Sequence, residues 1–247
     1  VTARGGMEPS PKARRVCAEA SPAPDGSATA AVHADALLLL RGDGGSLFST
    51  DADVAPPLSL STTFQCPEDG AAGHIYSRIS APTRSRCEAL LAAVEGSPAA
   101  PAHAVLYGSG LAAAFAVLSR ALPGRVAISG GYHGTHLVLR QLQRISGGTK
   151  CQTVPLPPPH GLAASLQPGD LVWLETPLNP SCDVADISAY VTAAKGIGDV
   201  WVVVDGTFAP PPLQRPLELG ASAVVHATTK YLAGHSDALG GAICVGD

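Results

Sequence analysis

Val224-Val225-His226-Ala227-Thr228-Thr229-Lys230-Tyr231-Leu232-Ala233-Gly234-His235-Ser236-Asp237 is an apolar strand that breaks into a turn rich in hydroxyls and glycine, and Lys230 is the one amine it delivers there. Upstream, Val202-Val203-Val204-Asp205 puts a carboxylate at the carboxyl end of a second apolar strand, the edge at which open α/β sheets hold their ligands. Working outward, short apolar runs at 104–107, 126–128, 151–154, 170–174, 200–204 and 222–226 predict strands, and the stretches near 110–121, 135–145 and 186–196 predict helices between them. This alternation implies an α/β fold, a mostly parallel sheet covered by helices.

Ahead of the first of these strands, Cys87, Leu90, Leu91 and Val94 recur at i, i+3, i+4 and i+7, which predicts an amphipathic helix over 84–95 ending near Gly96. Pro155 to Pro159 reads as a stiff polyproline connection. Residues 1–30 are rich in Ala, Pro, Ser and Gly without periodicity and read as a disordered arm. Residues 31–83 read as an extended arm and interface segment, with a short helix or strand at 34–40 and extended chain at 54–58. The ligand-binding domain is expected over 84–247.

The length of 247 residues supports one full core with extensions. Hydrophobic residues make up 46% and charged residues 15%, and no apolar run approaches the roughly 18 residues of a membrane span. A formal net charge of −4 with scattered Lys and Arg offers no basic stripe for nucleic acid and no polybasic patch for a membrane. A small anionic ligand suits this chain better than a polymer. Cys17, Cys66, Cys87, Cys151, Cys182 and Cys244 form no Cys-x-x-Cys pair, and the eight histidines lack the spacing of a zinc site, so reduced thiols and no metal are expected. Residue 1 is valine; Arg4, Lys12, Arg14 and Arg15 suggest a targeting peptide, but Glu8, Glu19 and Asp25 argue against one, and the cytoplasm is the expected compartment.

Ser109-Gly110-Leu111 follows the strand 104–107 and opens a helix, so its N–H groups and the helix dipole make a cradle for phosphate, although glycine in such a turn also has a purely steric reading. Tyr132, set among Gly130, Gly131 and Gly134, can stack on a flat ring or simply pack in the core. Asn179, between Pro177 and Pro180, has a directed amide or an ordinary turn role. Asp205 needs a cation or several donors, which a helix amino terminus or a ligand could supply. Lys230 has a surface alternative too, but an apolar pocket would lower its pKa and make it a nucleophile. An amine and a carboxylate at neighbouring strand ends suit a cofactor that needs a Schiff base at one end and a cationic ring nitrogen at the other. Pyridoxal 5'-phosphate (PLP) has both. A nucleotide-binding Rossmann domain is disfavoured, because no Gly-x-Gly-x-x-Gly follows the first strand.

With Ser61-Thr62-Thr63-Phe64, Tyr76-Ser77-Arg78, Ser109-Gly110-Leu111, Tyr132-His133-Gly134-Thr135, Glu175-Thr176-Pro177-Leu178-Asn179-Pro180, Asp205-Gly206-Thr207-Phe208 and Thr229-Lys230-Tyr231 in this order, the chain resembles the Cys/Met metabolism (trans-sulfuration) family of fold-type-I PLP enzymes. The resemblance implies the three-layer α/β/α large domain of an aspartate aminotransferase-like, PLP-dependent transferase. It implies that Lys230 carries PLP as a Schiff base, Asp205 pairs with the ring nitrogen, Tyr132 stacks on the ring and Asn179 contacts the ring hydroxyl. Gly110, Leu111 and Thr229 hold the phosphate by the same likeness, Ser109 beside them belongs to the cofactor site, and Glu175 gives support. Tyr76 and Arg78 would reach the phosphate of a neighbouring subunit, so a homodimer or tetramer with shared sites is implied. The activity implied is cystathionine C–S lyase chemistry on a small sulfur-containing amino acid, with γ-replacement by a synthase or sulfhydrylase, or an inactive PLP-binding protein, as alternatives.

Three positions depart from the family pattern. Its usual serine is Ala227, which removes a hydroxyl-to-phosphate bond worth roughly 1.5–3 kcal/mol. Thr228 would face the other side of an extended chain and is a poor substitute. The usual asparagines before Pro82 and after Asp205 are Ala81 and Gly206. Family members also continue into a carboxy-terminal domain that grips the substrate carboxylate, and the expectation is that this domain is absent here.

Overall fold

The structure is a computed structural model that describes residues 57–65, 73–97 and 100–246. The arm over 1–30, the element at 34–40, residues 54–56, Cys17 and Cys66 lie outside the described residues. Helix α1 (Pro82–Glu95) precedes strand β1 (Ala102–Tyr107), and α2 (Gly110–Ala121), β2 (Arg125–Ile128), α3 (His133–Ile145) and β3 (Gln152–Pro155) follow. A 3-10 turn (Pro159–Gly161), the short α4 (Leu162–Ser165), β4 (Leu171–Glu175), α5 (Ile187–Ile197), β5 (Trp201–Asp205), β6 (Ala223–His226) and β7 (Gly241–Gly246) complete the order.

The seven strands form one sheet in the order β1-β7-β6-β5-β4-β2-β3. The pairs β2/β3, β2/β4, β4/β5 and β5/β6 are parallel, whereas β7 runs antiparallel to both β1 and β6. All six expected strands are present. Strand β7 was not expected: Gly-Ala-Ile-Cys-Val-Gly is a short run bounded by glycines, and its pairing with distant β1 is a tertiary choice that local pattern does not carry.

Residue parity along the strands assigns the layers, because alternate side chains leave opposite faces of a sheet. Leu171, Trp173, Val203, Ala223 and Val225 pack with Ala113, Val117 and Leu118 of α2 and Val138, Leu139 and Leu142 of α3. Their neighbours Val172, Leu174, Val202 and Val204 pack on the other face with Leu162, Ile187, Tyr190, Val191 and Ala194. On that second face Leu91 of α1 meets Val224, Ala242 and Cys244. The result is a three-layer α/β/α sandwich with β4 and β5 buried on both sides, which is why both read as continuous apolar runs.

The expected stripe on α1 needs correction. Leu91 and Val94 are buried, but Cys87 is exposed and Leu90 only half-buried, because the helix turns Arg86 and Glu95 inward instead. The helix starts two residues before the expected 84, with Pro82 in its first turn, where a missing N–H costs no intrahelical bond. The proline run is also shorter than expected as polyproline, since Pro155 closes β3 and Pro159 opens the 3-10 turn.

At the far edge of the sheet from the ligand-binding end, buried Asp170 accepts from Arg125 N (2.8 Å), Arg125 Nε (2.9 Å) and Gln167 N (2.9 Å). This cluster ties the start of β2 to the start of β4.

Candidate active site

The carboxyl ends of the strands open into a cleft of about 680 Å³. Ser109, Gly110, Leu111, Tyr132, Asn179, Asp205, Thr229 and Lys230 all line it. Tyr76 and Arg78 do not: the Arg78 guanidinium instead sits over the Tyr76 ring, 4.8 Å from its centroid.

Parallel register explains the gathering. Glu175 pairs with Asp205 across β4 and β5, and Asp205 pairs with Val225 across β5 and β6, so residues just past three strand ends share one edge. After β6 the chain folds into a tight turn in which Lys230 N donates to Ala227 O (3.0 Å), Ala233 N to Thr228 O (2.9 Å) and Gly234 N to Lys230 O (2.7 Å). The Thr229 hydroxyl donates to Gly240 O and accepts from Gly240 N, both at 3.1 Å, and so ties this turn to the start of β7. Its hydrogen is therefore directed at a carbonyl rather than into the cleft. Lys230 itself is exposed, not enclosed in an apolar pocket as the sequence suggested, and Gly234, Ser236, Ala238 and Leu239, which line the cleft beside it, are exposed with it.

Asp205 stands on the floor. Its Oδ1 accepts from the Thr207 hydroxyl (2.6 Å) and from Thr207 N (3.1 Å), while the same hydroxyl accepts from Ala227 N (2.9 Å). Burial pushes the Asp205 carboxyl above its ordinary range, and the Thr207 hydrogen bonds and the nearby His226 pull it back in part. A desolvated carboxylate of this kind is stabilised by a positive partner.

Glu175, 9% exposed, braces two other residues at once: Oε2 accepts from Tyr132 N and Oε1 from Asn179 N, each at 2.8 Å. Burial raises its carboxyl, the two N–H bonds lower it, and the charge of Asp205 raises it further. Gly131, at φ +89, is required beside it, since a Cβ there would lie 2.4 Å from Oε2. The Tyr132 ring leans over Gly134 and lies 4.9 Å from the His133 ring.

The start of α2 presents backbone to the cleft. Ser109 caps α2 by accepting from Ala112 N (3.1 Å), and Gly110 sits so close to Ala227 that a Cβ on it would fall 2.6 Å from the Ala227 Cβ. The helix start thus opens onto the cleft beside Ala227 and Thr229, and Thr228 is not among the lining residues.

Thr135, Thr207, Phe208 and Tyr231, which the sequence motifs contain without a role assigned to them, and Leu239, outside those motifs, also line the cleft. For Thr207 a signal existed, since Asp-x-Thr lets the aspartate close a local turn on the residue two ahead. Phe208 and Tyr231 meet edge to face with centroids 6.1 Å apart, a contact between two loops that spacing does not reveal. Among the described residues no group of three or more His, Cys, Asp or Glu could hold a metal, and no helix is long and apolar enough to cross a membrane.

An amine, a desolvated carboxylate, a flanking aromatic ring and a helix N-terminus on one edge are the donor set that PLP requires. The sequence profile of the Cys/Met metabolism PLP-dependent enzymes matches residues 43–247. The chain belongs to this family. PLP is accordingly its cofactor. A putative cystathionine gamma-lyase 2 of Caenorhabditis elegans is 40% identical over 195 residues, covering 77% of this chain and 49% of that protein. A probable cystathionine gamma-synthase of Herpetosiphon aurantiacus is 37% identical, covering 88% of this chain and 65% of the relative. The apo structure of a methionine gamma lyase from Micromonospora echinospora superposes with a TM-score of 0.74 at 38% identity, covering 86% of this chain and 57% of that one. This Cys/Met family member therefore spans about half to two thirds of the length of these relatives.

Proposed function

We propose that the protein is a PLP-dependent enzyme that breaks a carbon–sulfur bond in a small sulfur-containing amino acid of the cystathionine type, by γ- or β-elimination. The observation that carries this reading is that Lys230 and Asp205, from adjacent strand ends, line one cleft. Bound PLP supplies an electron sink for charge developing at the substrate α-carbon. The chain's own residues do the rest. Lys230 would hold the cofactor through Nζ and, as the amine nearest the reacting carbons, would carry protons at that atom. Asp205 keeps a positive charge on the ring nitrogen. Tyr132 would cover the ring and exchange a proton at its hydroxyl with the substrate amine or leaving group, Asn179 would orient the ring through its hydroxyl, and Ser109, Gly110 and Leu111 would seat the phosphate, while Thr229 braces the lysine turn against Gly240. Holding amine and α-carbon together converts a bimolecular encounter into a local proton transfer.

The same reading makes the protein a homo-oligomer, dimer or tetramer, with sites shared between subunits. Support comes from the segment before α1, where Leu58, Leu60 and Ile79 are 77%, 90% and 71% exposed. Arg84 pins this segment by donating to Ser77 O (2.8 Å) and Ile79 O (2.5 Å), which presents Tyr76 and Arg78 outward, away from their own cleft. Cytoplasmic residence belongs to the reading as well, since the four described cysteines are free thiols.

A second reading, γ-replacement by a synthase, is favoured by the 37% identity to the probable gamma-synthase. The purified protein incubated with cystathionine should release a 2-oxoacid together with cysteine or homocysteine; turnover only with an activated homoserine and a thiol would support the second reading instead. Addition of PLP should give a visible absorbance band that Lys230→Ala abolishes. A band that survives this substitution overturns the assignment of Lys230.

A further inference from the structure

Glu95, the last residue of α1, and His226, the last of β6, face each other with both side chains 1% exposed, and His226 Nε2 shares a hydrogen bond with Glu95 Oε1. Neither lines the cleft. The pair lies on the α1 face of the sheet, opposite the face shared by Asp205 and Val225, as strand parity requires. Glu95 Oε2 and His226 Nδ1 have no hydrogen-bond partner among the described residues. A contact serving only to hold α1 on the sheet would be met better by apolar side chains of the same volume, so this incompletely satisfied pair points to another task.

Two contacts connect it to the site. The imidazole packs against the backbone just past Asp205, where a Cβ on Gly206 would fall 2.9 Å from His226 Cε1. Immediately after His226, Ala227 N donates to the Thr207 hydroxyl, which in turn donates to Asp205. The orientation of the ring thus fixes both the strand segment that bears the carboxylate and the donor that aims it. Glu95 fixes the ring.

We propose that Glu95 and His226 are positioning residues that set Asp205 against the cofactor ring nitrogen from the far face of the sheet. This rests on the PLP reading above. The electrostatic reach of His226 to the Asp205 carboxyl is consistent with it.

The test uses PLP itself, with affinity and the visible absorbance maximum as readouts besides activity. Glu95→Gln keeps the volume and weakens the grip on the ring; His226→Asn removes the ring. Each should weaken PLP binding roughly 2- to 30-fold and move the absorbance maximum. The double variant should be no worse than the weaker single one, because both act through one contact. Asp170→Asn, which loosens the opposite edge of the sheet, should lower stability and leave the band in place. Wild-type affinity and an unmoved band in both single variants overturn the proposal, and if one variant does not fold the other decides. A wild-type protein that forms no band with PLP overturns the cofactor reading together with this one, whereas a normal wild-type band unmoved by the substitutions overturns this one alone.

Discussion

Ala227→Ser restores a hydroxyl where the helix start of α2 meets the lysine turn. The Ala227 Cβ is the atom that Gly110 could not approach with a Cβ of its own, so a hydroxyl on residue 227 enters beside the first N–H groups of the helix. The backbone there is already held by the bond from Ala227 N to Thr207 Oγ1 at 2.9 Å, so the substitution needs no rearrangement of the chain. The Thr229 hydroxyl donates to Gly240 O and leaves the cradle poor in side-chain donors. One new bond to a charged phosphate contributes about 1.5–3 kcal/mol net. That corresponds to PLP binding tighter by roughly 10- to 150-fold. Equilibrium dialysis of the apo protein against PLP, or titration of the visible band, measures the change. Thr228→Ser, at a position outside the cleft, is the control and should leave Kd unaltered. An Ala227→Ser protein with wild-type Kd would refute the argument, since the hydroxyl would then be bonding to its own turn.

Glu175→Gln replaces one of two carboxylate acceptors by an amide nitrogen, so either Tyr132 N or Asn179 N loses its partner; a stability loss of about 1.5–3 kcal/mol is expected in urea unfolding, and an unchanged midpoint would contradict it. Asp170→Ala strands three donors around a side chain that is 1% exposed and should cost about 3–5 kcal/mol, read from the same transition; a loss below about 1 kcal/mol, the worth of an ordinary exposed ion pair, would count against this role. Burial raises the Asp205 carboxyl, so in the apo protein its contribution to stability is fully present below the unfolded-state pKa and is lost as pH rises through the folded one. Asp205→Asn keeps an oxygen for Thr207 but no charge, so thermal melts should show the variant gaining on wild type as pH climbs through that window. A gap that narrows in the variant's disfavour with rising pH would reverse the sign.

The parts of the architecture that could be read from the chain are those in which pattern and burial coincide. Strands β4 and β5 are buried on both faces and so appear as unbroken Leu/Val/Trp runs, and the ends of β5 and β6 deliver Asp205 and Lys230 to the expected edge. Helix α1 was legible in existence but not in facing, because its inward side carries Arg86 and Glu95, which no hydrophobic count selects. The enclosure expected for Lys230 failed for a related reason: burial of a turn residue depends on what packs over it, and a strand-to-turn sequence says only where the amine emerges. The Glu95–His226 pair escaped notice because its partners lie on different elements and become neighbours only through sheet register, as does the bond that Thr207 accepts from Ala227 N, whereas its bond to Asp205 is local.

Strand β7 has a consequence for how this domain is assembled. Among the described residues, the first strand, β1, touches the sheet only through β7, the last one, and β7 also covers the open flank of β6. On the ribosome, β2 to β6 can pair as they emerge, but β1 has no seat until residues 241–246 are out. Until then β1 and the flank of β6 both present unpaired backbone, an edge prone to pairing with other chains. Joining β1 to the sheet through β7 therefore rests on a pairing between segments more than a hundred residues apart, the kind of contact that slows folding.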